Sequence, residues 1–178
     1  MGMNDVTGGA DAVPTAATPW YALWTRSRHE KVVRAKLDEL GIEVFLPMVA
    51  RWNRWHDRTK QIDSPLFPGY CFARFDVREA KPVLGCTGVV AIVGTLGVPS
   101  PISEGEIEAV RRLLDTGLSC DPCPFIKEGM PVVVAHGPLK GVSGRLVCKG
   151  PNAWLMISIE MIGRAVSVRI HAADVQAA

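Results

Sequence analysis

At 178 residues the chain has room for one ordinary domain or two small ones. Hydrophobic residues at 48% and charged residues at 21% sit close to globular norms, which excludes wholesale disorder. Lys plus Arg is 20 against 18 Asp plus Glu, so the net charge of +2 excludes a histone-like polycation and leaves local basic patches open.

In chain order, residues 1–18 read as a disordered tail. They lack the basic and apolar regions of a secretory signal, and Val6 stands where myristoylation needs Ser or Thr. No apolar run approaches the ~18 residues of a membrane-spanning helix, so a cytoplasmic protein with no membrane partner is expected. The aromatic and apolar run 20–25 predicts a strand. Ser27 and Glu30 have the spacing of a capping box, and Val33, Leu37 and Leu40 mark the buried face of the helix it opens, with Gly41 as its stop. A second strand over 43–46 ends at Pro47. The stretch 51–60 is basic, carries tryptophan and is too polar for a core element. Residues 65–70 are turn-rich and lead into a strand over 71–75. After an irregular or helical passage near 79–84, a strand is predicted over 89–93. Ser103 and Glu106 form a second capping box, followed by Ile107, Val110, Leu113 and Leu114 as a helical stripe that ends at Gly117.

The pattern dissolves over 116–126 into Gly, Ser, Cys, Asp and Pro, which predicts a linker. Beyond it, short β-rich runs at 131–135, 144–148, 154–159 and 165–170 predict a small barrel. Five cysteines without regular spacing make no disulfide framework. Cys120 and Cys123 form a C-x-x-C with no second pair to complete a zinc site, and they read as two reduced thiols in a connector. No cofactor or metal is expected.

Catalytic signatures are absent: there is no phosphate-binding loop, dinucleotide fingerprint, nucleophile elbow or H-E-x-x-H. The four histidines are scattered in sequence, so an enzyme is not expected. Two segments suggest binding instead. In Leu66-Phe67-Pro68-Gly69-Tyr70 a stiff proline and a permissive glycine present two rings, either to the domain's own core or to a surface pocket for a partner's helix. In 51–60 four cations and two tryptophans face one carboxylate. Arg51, Arg54, Arg58 and Lys60 can track phosphate while Trp52 and Trp55 stack on bases, or the indoles pack back on a solvated hairpin.

The order of W-Y-A-L-W-T, a capped helix, F-L-P, a basic loop, P-L-F-P-G-Y-C-F-A-R-F, V-V-A-I-V-G and P-S-P-I-S resembles NusG-type transcription elongation factors. The segments G-M-P-V-V-V, G-P-L-K-G-V-S-G and I-G-R-A-V-S-V resemble their KOW domain. The resemblance implies an α+β chain: an NGN domain over 19–115, an antiparallel sheet flanked by helices, then an SH3-like five-stranded β-barrel over 127–176. It implies a factor that binds the clamp helices of the largest RNA polymerase subunit and suppresses pausing or termination. Carried over by position, Tyr21, Phe67, Pro68, Tyr70, Ile92 and Val93 form the clamp pocket. Arg26, Arg28, His29 and Lys36 resemble the surface with which specialised paralogues such as RfaH contact the non-template DNA strand.

In the barrel, Gly137, Lys140, Gly141, Gly144 and Arg145 mark the KOW turn. Partners implied there are a small-subunit ribosomal protein, Rho or nascent RNA. The glycines also fit as turn formers alone. P-L-F-P-G-Y and the short basic loop resemble the specialised branch of RfaH, UpxY and LoaP. In RfaH the C-terminal domain can refold as a helical hairpin, whereas β-branched runs such as Val132-Val133-Val134 favour a barrel here. A monomer associated with the nucleoid through polymerase is expected. The alternative is a structural RNA-binding KOW protein of the ribosome.

Overall fold

The computed structural model describes residues 18–55, 58–124, 129–149 and 152–178, and their side chains except at 52–55, 58–60, 121–124, 148, 149, 152 and 172. The N-terminal unit runs β1 (Trp20–Thr25), α1 (Glu30–Glu39), β2 (Glu43–Phe45), β3 (Met48–Trp55), β4 (Arg58–Pro65), β5 (Tyr70–Arg74), α2 (Lys81–Leu84), β6 (Val89–Ile92), β7 (Gly94–Thr95), β8 (Val98–Pro99) and α3 (Glu104–Asp115). Then follow β9 (Cys120–Pro124), β10 (Met130–Val134), β11 (Ser143–Lys149), β12 (Asn152–Ile159), β13 (Arg164–Ile170) and β14 (Val175–Ala177). The mixed architecture agrees with the fold expected from sequence.

Four antiparallel strands in the order β2-β5-β1-β6 form the N-terminal sheet. Both of its faces are covered over most of β1, Trp24 excepted, so β1 reads as a continuous apolar run rather than an alternating one. Tyr21, Leu23, Cys71 and Ala73 lie in one cluster with Val33 and Leu37 of α1 and Val83 of α2. Trp20, Ala22 and Phe72 point the other way, into a cluster with Ile107, Val110 and Leu113 of α3. Charged groups tie α3 down. Glu43 lies 3.2 Å from Arg74 and 3.1 Å from Arg111, and Arg74 reaches Glu104 at 2.6 Å. Both guanidinium groups stack on Trp20, at 4.9 and 5.3 Å from its ring centre.

The two predicted capping boxes fare differently. Ser103 and Glu106 form theirs: Ser103 Oγ accepts from the Gly105 N–H at 3.2 Å, and the Ser103 N–H donates to Glu106 Oε2 at 3.2 Å. The Ser27 box does not form. The backbone turns left-handed at Arg28 (φ 63°), so the helix starts after His29 and Ser27 falls outside the cap. His29 Nδ1 donates to the Ser27 carbonyl at 2.9 Å, and Glu30 reaches another loop.

The basic stretch lies within an antiparallel hairpin of β3 and β4, with Arg51 opposite Ile62 and Trp55 opposite Arg58. His56 and Asp57 lie outside the described residues, as do residues 1–17 of the tail expected over 1–18.

The C-terminal unit is a six-stranded antiparallel sheet, ordered β14-β10-β11-β12-β13-β9. Its sixth strand corrects the linker expected over 116–126. Cys120–Pro124 pairs along β13, with Cys120 opposite Val168 and Pro124 opposite Arg164. Prolines suit this place because β9 is a sheet edge, and Pro122 and Pro124, two residues apart, turn their missing donors the same way. The C-x-x-C is therefore part of the sheet.

The two units touch. The cluster containing α3 continues into Leu155, Ile157 and Ile159 of β12. Glu106 Oε1 accepts the N–H of Glu160 at 2.9 Å, so one carboxylate serves both its own helix cap and the second unit. An open cleft of about 790 Å³ remains between them, lined by Glu106, Ala109, Arg112, Gly141, Ile157 and Met161.

Ser103→Ala removes only the cap and lowers stability by about 1 kcal/mol in urea unfolding. Glu106→Ala also speeds hydrogen exchange at the Glu160 amide, which Ser103→Ala leaves unchanged.

Candidate partner-binding face

Side-chain parity divides the six residues assigned to a clamp pocket. Tyr70 stands opposite Trp24 across β1 and β5 and belongs to the α3 side of the sheet, as do Phe67 and Val93. Tyr21 and Ile92 belong to the α1 side, where the Tyr21 ring packs against Phe75 with centres 5.0 Å apart. Because strand residues alternate between faces, the six cannot line one wall. Phe67 is 2% exposed and meets Phe72 edge-on at 6.0 Å, so its ring is a core element under the turn. Pro68 is exposed, and Tyr70 and Val93 are half-buried.

Trp24 is the residue that sequence reading missed. It is paired with Tyr70 on one side and Ala91 on the other, and it is 51% exposed. The signal was present in W-Y-A-L-W-T: Trp20, Ala22 and Trp24 share a face. The first two are buried with the α3 cluster and the third is left open. Beyond the end of β6 the β7–β8 hairpin carries two more uncovered apolar side chains, Leu96 in a left-handed turn (φ 52°) and Val98.

Three loops are stitched together beside this face. The Thr25 N–H donates to the Gly69 carbonyl at 2.9 Å, and the Arg26 N–H donates to the Gly88 carbonyl at 2.8 Å. Gly69 has φ 84° and Gly88 φ 105°; a Cβ on Gly88 would lie 2.9 Å from Val33 Cγ2. The stitching holds the turn that carries Arg26 and Arg28, both exposed, against the turns around Gly69 and Gly88. Lys36 is exposed further along α1, and the His29 ring is held against the Ser27 carbonyl. Arg51 is exposed on β3, whereas the side chains of Trp52, Arg54, Trp55, Arg58 and Lys60 lie outside the described residues.

In the second unit, Gly137 and Gly141 have φ of 86° and 82° and shape the β10–β11 turn. A Cβ on Gly144 would lie 2.5 Å from the Met156 carbonyl oxygen, so that glycine lets β11 approach β12. Arg145 donates to the Gly129 carbonyl at 3.1 Å and braces the sheet, while Lys140 is exposed. Among the described residues, no group of three His, Cys, Asp or Glu is placed to hold a metal, and no helix is long and apolar enough to cross a membrane. Burial, the Cys86 thiol and the Glu30 carboxylate push the Cys71 thiol up to about 12.

Comparison with known proteins gives one answer. Residues 18–111 match the family model described as transcription termination factor nusG. The transcription termination/antitermination protein NusG of Streptococcus pyogenes is 31% identical over 146 residues, covering 72% of this chain and 79% of the relative. That of Pseudomonas aeruginosa is 25% identical over 182 residues, covering 90% and 98%. Among solved structures, one describing domain interaction in Thermotoga maritima NusG is similar in fold, with a TM-score of 0.50 at 23% identity over 89% of this chain and 96% of that one.

Phe67→Ala empties a core site and lowers stability by about 3–5 kcal/mol, whereas Trp24→Ala changes it by under about 1 kcal/mol; chemical unfolding separates the two. At pH 8 Cys71 carries almost no thiolate, so an aromatic disulfide reagent leaves it unmodified in the native chain and reacts with it in denaturant.

Proposed function

The chain belongs to the NusG family of transcription factors, and from this we propose that its N-terminal unit binds RNA polymerase through the face that joins Trp24, Tyr70 and Val93. The family's proteins are transcription termination and antitermination factors and not enzymes. The observation that carries the proposal is the half-exposed Trp24 directly opposite Tyr70, on a sheet whose other aromatic residues are buried or, like Phe45, half-buried.

Such a face suits the apolar side of a partner helix, and the clamp helices of the polymerase's largest subunit are the occupant. Aromatic anchors of this kind contribute about 2 kcal/mol or more each when a partner desolvates them. Phe67 supports the face from beneath and is not itself a contact. Arg26 and Arg28 reach the phosphates of the non-template strand, aided by Lys36 and by the basic hairpin of β3 and β4. Held on the clamp, the factor suppresses pausing or termination.

The second unit recruits a further partner, a small-subunit ribosomal protein, Rho or nascent RNA, through exposed positions such as Lys140. P-L-F-P-G-Y and the short basic hairpin support a specialised antiterminator within the family. The ribosomal alternative draws no support from a family match that covers the N-terminal unit.

Core RNA polymerase is expected to retain the wild-type chain on co-purification and to lose Trp24→Ala/Tyr70→Ala, with affinity down about thirtyfold or more. Equal retention of both would contradict the assigned face. Arg26→Ala/Arg28→Ala is expected to keep polymerase binding and to flatten the salt dependence of binding to single-stranded DNA.

A further inference from the structure

Glu30 is 6% exposed, and among the described residues no Lys or Arg comes within ion-pair distance of it. A buried carboxylate without a cation is unfavourable unless its oxygens find donors. The donor here is remote in sequence: Glu30 Oε1 accepts the N–H of Gly69 at 2.8 Å, 39 residues along the chain.

That N–H belongs to the central peptide of a tight turn. Phe67 and Tyr70 close it, the Tyr70 N–H donating to the Phe67 carbonyl at 3.1 Å. Pro68 in the second position and Gly69 in the third, at φ 84°, make it a type II turn. The soft motion of a Pro-Gly turn is a flip of this central peptide, because glycine accepts either sign of φ. A flip would withdraw the N–H from Glu30 and bring the Pro68 carbonyl dipole against the carboxylate. The following peptide is held too, since the Gly69 carbonyl accepts from Thr25 at 2.9 Å. Glu30 and β1 therefore grip Gly69 from both sides, and Tyr70 comes next in the chain.

We propose that Glu30 is a positioning residue for polymerase binding, locking the Phe67–Tyr70 turn so that the Tyr70 ring stands beside Trp24 before the partner arrives. This rests on the polymerase reading above. The lock acts by removing turn ordering from the binding step. A carboxylate in the first turn of α1 also favours the helix dipole, and that purely structural role predicts a different outcome.

The test uses the full chain and two variants. Glu30→Gln keeps an acceptor oxygen, whereas Glu30→Met fills the same buried space without one. Amide exchange followed by NMR should show Gly69 protected in the wild type and Glu30→Gln, and faster in Glu30→Met, with the Phe72 amide unchanged. Affinity for core RNA polymerase should fall about tenfold in Glu30→Met, stay within about twofold in Glu30→Gln, and show no further loss when Glu30→Met is added to Tyr70→Ala. Wild-type affinity in Glu30→Met, or an equal loss in the Tyr70→Ala background, would overturn the proposal and leave the polymerase reading intact. Failure of the wild type itself to bind polymerase would overturn both. Should Glu30→Met not fold, Glu30→Ala is read by the same measurements.

Discussion

Successive side chains of β1 and β5 leave the sheet on opposite sides, so each residue of these strands is committed to one of two environments. Residues Tyr21, Leu23, Cys71 and Ala73 go to the side of α1 and α2. Trp20, Ala22 and Phe72 go to the side of α3. Along β1 the α3 side starts with the fully covered Trp20 and Ala22 and ends with Trp24 half in solvent. The aromatic part of the proposed binding face follows from that gap in cover. Tyr70 packs against the α3-side core and stands opposite Trp24 across the strands, which fixes that end of the face, and rigidity limits what ordering costs on binding.

Backbone hydrogen bonds place the rest of the face. The turns around Gly69 and Gly88 are held to Thr25 and Arg26, which brings the basic turn of Arg26 and Arg28 beside the aromatic one. An apolar platform with cations at its rim can engage a protein helix and nearby phosphate at the same time. Contact between the units adds a second layer, because Glu106 caps α3 and accepts from Glu160 with different oxygens of one carboxylate.

Much of this was legible in sequence, for identifiable reasons. The aromatic and apolar run 20–25 announced β1 as a strand, and Ser103 with Glu106 announced the start of α3 at its true position. The Ser27 and Glu30 pair had the same spacing and misled, because a left-handed Arg28 intervenes and tertiary contact claims the Glu30 carboxylate. Prolines 122 and 124 disguised an edge strand as a linker. Tyr21 and Ile92 were placed on the binding face by position in a motif, and pleat parity moves them to the opposite side. Trp24 follows from the same parity, but its exposure depends on where α3 stops covering the sheet. That is a tertiary fact with no local signature.

In the proposed function, one face of one sheet meets polymerase. Hydrogen–deuterium exchange of the full chain, with and without core RNA polymerase, tests it most directly. Protection is expected to be gained over residues 22–24, 67–70 and 91–93, with the α1 side of the sheet unchanged. Protection confined to β10–β14, or appearing along α1 and α2 instead, would contradict it.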